Sequence, residues 1–163
     1  MMETQVLVVG GGPIGLSLAC ELGWRGVKCL VVEEKPEFGD DPVARINLVN
    51  ARSMEFCRRW GIEKEMRHGG FPDDFPMTVL FATSMRGKLI ARAPYPSMGE
   101  QGPHPASPTN RQRIPQQLFE PILRRAAQRF ESVDTKFSST VEGFADKGTH
   151  VEAEILSNGR RET

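Results

Sequence analysis

The chain has 163 residues, 39% of them hydrophobic, with 21 Lys and Arg balancing 21 Asp and Glu to a formal net charge of zero. That length bounds it to about one ordinary domain, and the balanced charge argues against partners held by net field, such as nucleic acid or a polybasic contact with a membrane surface. No apolar run approaches the ~20 residues of a membrane-spanning helix, and the first one lacks the basic lead and cleavage pattern of a secretory signal.

Residues Gln5 to Val9 form an apolar, β-branched run that reads as a strand. Gly10-Gly11-Gly12-Pro13-Ile14-Gly15 follows at once, and then a helical stretch with Leu16, Ala19 and Leu22 on one face stops near Gly23 to Gly26. A second apolar run, Cys29 to Val32, ends on Glu33. Strand, glycine turn, helix and strand in this order are the dinucleotide-binding fingerprint in its context. Gly10 allows a tight exit from the strand, Gly12 leaves room for a pyrophosphate, and Gly15 lets the helix pack closely. The helix start offers N–H groups and partial positive charge to phosphate, and Pro13 suits the first turn, where an N–H is not needed. Glu33 lies 18 residues after Gly15, near the ~20 expected for the acid that holds ribose hydroxyls. An acid there disfavours a 2′-phosphate and so NADP at this site. The bland alternative is a glycine turn in an α/β domain that binds no nucleotide.

Glu34 to Pro42 is turn-rich and reads as a loop. Val43 to Asn50 is partly extended. Arg52 to Gly61 reads as a helix with Ser53 as its cap and Gly61 as its stop, its Arg52, Arg58 and Arg59 forming a solvated face or, for Arg52, a salt bridge toward the cofactor loop. Ile62 to His68 is a second short helix. Met77 to Thr83 and Lys88 to Arg92 read as a hairpin. Ala93 to Asn110, with five prolines, is a long loop, either functional or a plain connection. Pro115 to Phe130 is an amphipathic helix with Leu118, Ile122, Leu123, Ala126 and Phe130 inward and Arg124, Arg125, Gln128 and Arg129 outward. Pro121 either shifts its start toward Phe119 or kinks it. Val133 to Val141 is extended, and Gly143 to Leu156 alternates about a turn at Asp146 to Gly148. Asn158-Gly159 is a hairpin signal, but only four residues follow, so the returning strand is expected to be missing and the chain reads as a fragment. Cys20, Cys29 and Cys57 are scattered, without metal-ligand spacing, and read as buried thiols in a reducing cytoplasm.

Taken together, Val6 to Gly15 (VLVVGGGPIG), Val31 to Pro36 (VVEEKP), Asn50 to Ile62 (NARSMEFCRRWGI), Phe71 to Gly87 and Arg113 to Arg125 (RIPQQLFEPILRR) resemble the N-terminal part of class A flavoprotein monooxygenases. These have the para-hydroxybenzoate hydroxylase-like fold, and the likeness is strongest to the phenol and chlorophenol hydroxylase branch. The resemblance implies an α/β, Rossmann-like FAD/NAD(P)-binding fold carrying part of an inserted antiparallel substrate sheet, incomplete relative to the family. It divides the chain into a dinucleotide-binding core with its following helices at 1–75, a partial substrate-domain insertion at 76–110, and a return to the FAD domain at 111–163. It implies FAD as cofactor, held by Gly10, Gly11, Gly12, Pro13, Ile14, Gly15, Glu33 and Glu34. Arg45 and Gln116 match an arginine near the flavin side and a glutamine that approaches FAD; either could instead be a solvated surface residue. The reaction implied is hydroxylation of a small aromatic substrate with NAD(P)H and O₂. The family's later Asp-Gly and Gly-Asp motifs are absent, and Gly39-Asp40 lies in the wrong place for them. An FAD or NAD oxidoreductase of other chemistry, or a non-catalytic nucleotide-binding protein, are the other readings of the same fingerprint.

Overall fold

A computed structural model describes residues 3–37, 47–68, 70–157 and 159–162, with the His68 side chain left out. The chain divides into two units, one of residues 1–45 with 116–163 and one of residues 46–115.

The first unit is built on a parallel sheet of β1 (Val6–Val9), β2 (Cys29–Val32) and β7 (Val133–Lys136), with β2 in the middle. Val6 pairs with Cys29, and Cys29 with Val133. All four residues of β2 are buried, as an apolar run covered on both faces must be. The alternation of side chains divides them between two layers. Leu30 and Val32, with Leu7 of β1 beside them, pack against Ile155 and Val141. That layer is the antiparallel meander β8 (Ser139–Asp146), β9 (Val151–Ser157) and β10 (Arg160–Glu162). On the other side lie α1 (Pro13–Trp24) and α4 (Gln116–Gln128), which pack on each other and on the parallel strands.

Helix α1 buries Leu16, Ala19, Cys20 and Gly23 and ends at Gly26, whose φ of +71° is one that glycine adopts without strain. Gly23 has a packing reason. A Cβ there would lie 2.7 Å from the Cβ and ring of Phe130. Helix α4 buries Phe119, Ile122, Leu123, Ala126 and Ala127, and continues through Pro121 from a start at Gln116, so the start is not displaced. Leu118, expected inside, is 47% exposed. The 119/122/123/126/127 set is already a full helical stripe, and Leu118 falls outside it. Arg124, expected on the solvated face, is largely covered, with a side chain only 16% exposed.

The strand expected to be missing after Asn158-Gly159 is present. Asn158 lies outside the described residues, but Gly159 has φ +75° and Arg160, Arg161 and Glu162 pair with Ser157, Leu156 and Ile155. A two-residue connection needs only three residues to close this register, and an ion pair from Lys136 to Glu162 adds to it. The 133–141 stretch is broken at Ser138, whose φ is +51°, so it forms β7 and the start of β8 rather than one strand.

In the second unit, β3 (Leu48–Val49) pairs antiparallel with β6 (Gln112–Arg113). Helix α2 (Ala51–Arg59) is capped by Asn50, whose Oδ1 accepts from the Ser53 N–H at 2.8 Å. The expected cap, Ser53, is the donor; the helix begins one residue earlier than predicted, and asparagine caps as well as serine. Gly61, with φ +76°, ends it as expected. Arg52 bonds Glu55 at 2.5 Å and lies over the Phe56 ring. Met54, Ile62 and Met66, the last from α3 (Glu63–His68), are fully buried with Ile114. The hairpin of β4 (Val79–Ala82) and β5 (Leu89–Ala93) has apolar residues exposed along both strands, including Leu80, Phe81 and Ile90.

The long proline-rich segment is fastened rather than loose. Gly99 N–H donates to the Asp73 carbonyl at 2.8 Å, Arg58 reaches the Pro108 carbonyl at 3.2 Å, and the buried Thr109 hydroxyl donates to Glu63 at 2.7 Å. Burial works to raise the Glu63 carboxyl, but bonds from Thr109 and Arg67 outweigh it and hold the group below the ordinary glutamate value. The three cysteines are buried and free, and burial pushes the Cys57 thiol up to about 12. No helix among the described residues is long and apolar enough to cross a membrane.

Gly23→Ala should destabilise the first unit by about 1–3 kcal/mol through the clash with Phe130, outweighing alanine's better helix propensity; a urea unfolding midpoint at or above that of the parent chain would contradict this packing. Thr109→Val should cost about 1 kcal/mol at pH 7 by removing a donor from an ionised Glu63. Because the folded-state value is depressed, that stabilisation exists above the unfolded value and fades as pH falls below ~4. Unfolding curves of both chains at pH 7 and pH 3 would test it, a constant difference counting against the assignment.

Candidate functional site

The site is the junction of β1 and α1. At the end of β1 the Gly10 N–H still donates to the Val32 carbonyl at 2.8 Å, continuing the ladder, and then φ +102° at Gly10 turns the chain sharply. Few residues other than glycine tolerate that conformation. Pro13 opens α1, and the first helical bond runs from Leu16 N–H to the Gly12 carbonyl at 2.9 Å. The helix start lies so close to the strand that a Cβ on Gly15 would fall 1.9 Å from the Gly10 carbonyl oxygen. Glycine at 15 is therefore a requirement of the packing itself.

Gly12 is different. Its φ of −73° is open to any residue, and nothing lies within 4 Å of where its Cβ would be. The space over Gly12 is left free by the protein. No side chain caps α1, and its first turn carries no acid. The first N–H groups of a helix have no partner inside it, so the turn presents unsatisfied donors and the positive end of the helix dipole to that space. These features fit an anionic diphosphate, and the first turn of the helix itself carries no acid that would compete for it.

Glu33 closes the other side. Its Oε2 accepts from the Gly11 N–H at 2.5 Å and its Oε1 from the Lys35 N–H at 2.9 Å. Its backbone is fixed as well: its N–H donates to the Lys136 carbonyl at 2.8 Å, and its carbonyl accepts from the Ser139 N–H at 3.0 Å. Gly11 is buried against this side chain; a Cβ there would meet the Glu33 Cβ at 2.9 Å. The carboxylate is thus immobilised beside the turn, and each oxygen has a further lone pair for a hydroxyl donor.

Of the residues proposed from sequence, the structure brings together Gly10, Gly11, Gly12, Pro13, Gly15 and Glu33. Ile14 projects from the first turn and is 85% exposed. Glu34 is exposed beside Glu33. Arg45 lies outside the described residues. Gln116 is half-buried at the first turn of α4, where its Nε2 donates to Glu120 Oε2 at 3.1 Å. Sequence reading did not anticipate the contacts that Glu120 and Arg124 make around Gln116. Arg124 reaches Glu120 at 3.6 Å, donates to the Glu37 carbonyl, and lies over the Phe137 ring at 5.0 Å. The spacing 116, 120, 124, which puts all three on one helix face, was the available signal.

Comparison with known proteins agrees with this geometry. The family described as FAD binding domain matches residues 3–163. The chain is 31% identical to the phenol 2-monooxygenase of Pseudomonas sp. (strain EST1001), over 96% of this chain and 26% of that protein. It is 34% identical to the tetracenomycin B2 monooxygenase-dioxygenase of Streptomyces olivaceus, over 97% of this chain and 31% of that protein. The rebeccamycin biosynthetic enzyme RebC with reduced flavin superposes with a TM-score of 0.85 at 31% identity, covering 98% of this chain and 30% of RebC. The chain therefore spans between a quarter and a third of the length of these relatives.

Gly15→Ala should open the β1–α1 turn, lowering stability by at least ~2 kcal/mol and weakening ADP binding together with it. Thermal unfolding and an ADP titration on the same variant test this; unchanged values for both would mean the helix start is not packed as described.

Proposed function

The chain belongs to the FAD-binding domain family, and on that premise we propose that it forms the adenylate-binding portion of an FAD-dependent hydroxylase of phenol-type aromatic rings, with NAD(P)H and O₂ as co-substrates. The observation that carries the reading is the uncapped start of α1 over Gly12, with empty space above it and the fixed Glu33 carboxylate beside it. In this reading the Gly10–Gly15 turn binds the pyrophosphate and Pro13 and Ile14 form the first helical turn beneath it. Glu33, with Glu34 beside it, accepts from the adenosine ribose hydroxyls. Arg45 and Gln116 serve the flavin side. FAD, when bound, supplies the redox and oxygen-transfer chemistry; these residues bind and orient it.

The activities of the phenol and tetracenomycin relatives support a small aromatic substrate. The exposed apolar strands β4 and β5 support assigning 76–110 to a substrate-binding insertion between the two stretches 1–75 and 111–163 of the FAD domain. Three buried free thiols support a reducing, cytoplasmic setting.

Calorimetry with FAD and with ADP tests the reading. FAD should bind more tightly than ADP, with quenched flavin fluorescence. Gly12→Val should weaken both by at least ~100-fold by filling the pyrophosphate position. Because the added Cβ meets no protein atom within 4 Å, the variant's unfolding midpoint should match the parent's. A Gly12→Val chain that binds ADP normally would sink the assignment.

A further inference from the structure

We infer that Glu120 is a positioning residue, one that turns the Gln116 carboxamide so that its oxygen, and not its nitrogen, is offered to bound FAD. The inference rests on the reading above that Gln116 meets the cofactor, and adds which atom does so and what fixes it.

A glutamine can present either a donor or an acceptor, and its local partner decides which. Here the partner is a carboxylate, which when ionised can only accept. Gln116 must therefore direct Nε2 toward Glu120, as the 3.1 Å contact has it. Its Oε1 has no hydrogen-bond partner among the described residues. Glu120 is itself held in place. Its other oxygen, Oε1, faces Arg124 Nη2 at 3.6 Å. Arg124 is anchored away from solvent by the Glu37 carbonyl and the Phe137 ring. The Nε of Arg124 is buried without a partner, so this guanidinium gives up hydration to sit where it does. The row from 124 to 120 to 116 runs one helical turn at a time toward the N-terminus of α4. Its last atom is an oriented acceptor, open to solvent and without a protein partner among the described residues.

An acceptor so placed selects a donor on the ligand. Phosphate oxygens are excluded, because they only accept. The group met by Gln116 is a hydroxyl or ring N–H of FAD, from either the adenosine ribose or the flavin half.

Binding constants for FAD and ADP on five chains test this: the parent, Gln116→Leu, Glu120→Lys, Glu120→Met, and Glu120→Lys combined with Gln116→Glu. Gln116→Leu should weaken FAD about five- to tenfold, the loss of one hydrogen bond. Glu120→Lys replaces an acceptor with a donor, so the amide reverses and FAD weakens at least as much. Glu120→Met releases the amide and gives a smaller loss, and serves if the lysine chain does not fold. In the double variant the carboxylate introduced at position 116 accepts from the ammonium introduced at position 120 and still offers an oxygen, so FAD affinity should return to within about threefold of the parent. A merely structural role for Glu120 would not be rescued by that second change. If Gln116→Leu leaves FAD affinity intact, Gln116 is not a cofactor contact, and both the earlier reading of Gln116 and this inference fall. If Gln116→Leu weakens FAD but the Glu120 variants bind as the parent does, or the double variant is not rescued, only the role of Glu120 is overturned. A loss confined to FAD places the donor on the flavin half; an equal loss for ADP places it on the adenosine ribose.

Discussion

The first unit depends on how closely helix α1 begins above the end of strand β1. One methyl group at residue 15 would fall 1.9 Å from the Gly10 carbonyl oxygen, well inside van der Waals contact. That closeness brings the helix start level with the strand exit and leaves its free N–H groups clustered over Gly12. It also sets Gly11 within reach of Glu33 on the neighbouring strand, so that one hydrogen bond joins the turn to the end of β2. The parallel register of β1 with β2, Val9 opposite Val32, is what makes that bond possible. Turn, register and carboxylate are consequences of a single close approach.

Much of this was legible because it is local. The β1–α1–β2 unit follows from residue type and spacing, and each glycine has the reason the pattern gives it: a positive φ at Gly10, a close contact at Gly15, free space at Gly12. The parts that escaped sequence reading depend on partners far along the chain. Arg124 looked solvated on the helical wheel, but Glu37, 87 residues earlier, folds back over it. Leu118 looked buried by the same wheel, but its neighbours complete the apolar stripe without it. The cap of α2 is ambiguous in the sequence because two good capping residues, Asn50 and Ser53, stand three apart, and only the Ser53 N–H to Asn50 Oδ1 bond decides between them. The four residues after Gly159 are too few to read as a strand by pattern, but three pairs suffice when a two-residue turn sets the register.

The Ala93 to Asn110 segment shows a related limit. Its prolines and glycines say only that it has no repeating structure. Its order comes from bonds to residues on other elements, Glu63 and Arg58 among them. Composition cannot reveal such ties, because the serines, threonines and backbone groups that make them are common in loose segments too.

The buried thiols give the molecule a built-in report on its own opening. Cys20 and Cys29 are 0% and 1% exposed in the first unit, and Cys57 is 3% exposed in the second. Alkylating reagents attack the thiolate, and the Cys57 thiol, raised to about 12, offers almost none at neutral pH. Burial shields all three from such reagents in the folded chain, and each becomes accessible once its surroundings separate. Mass-resolved labelling would follow the two units independently, without added probes or engineered substitutions.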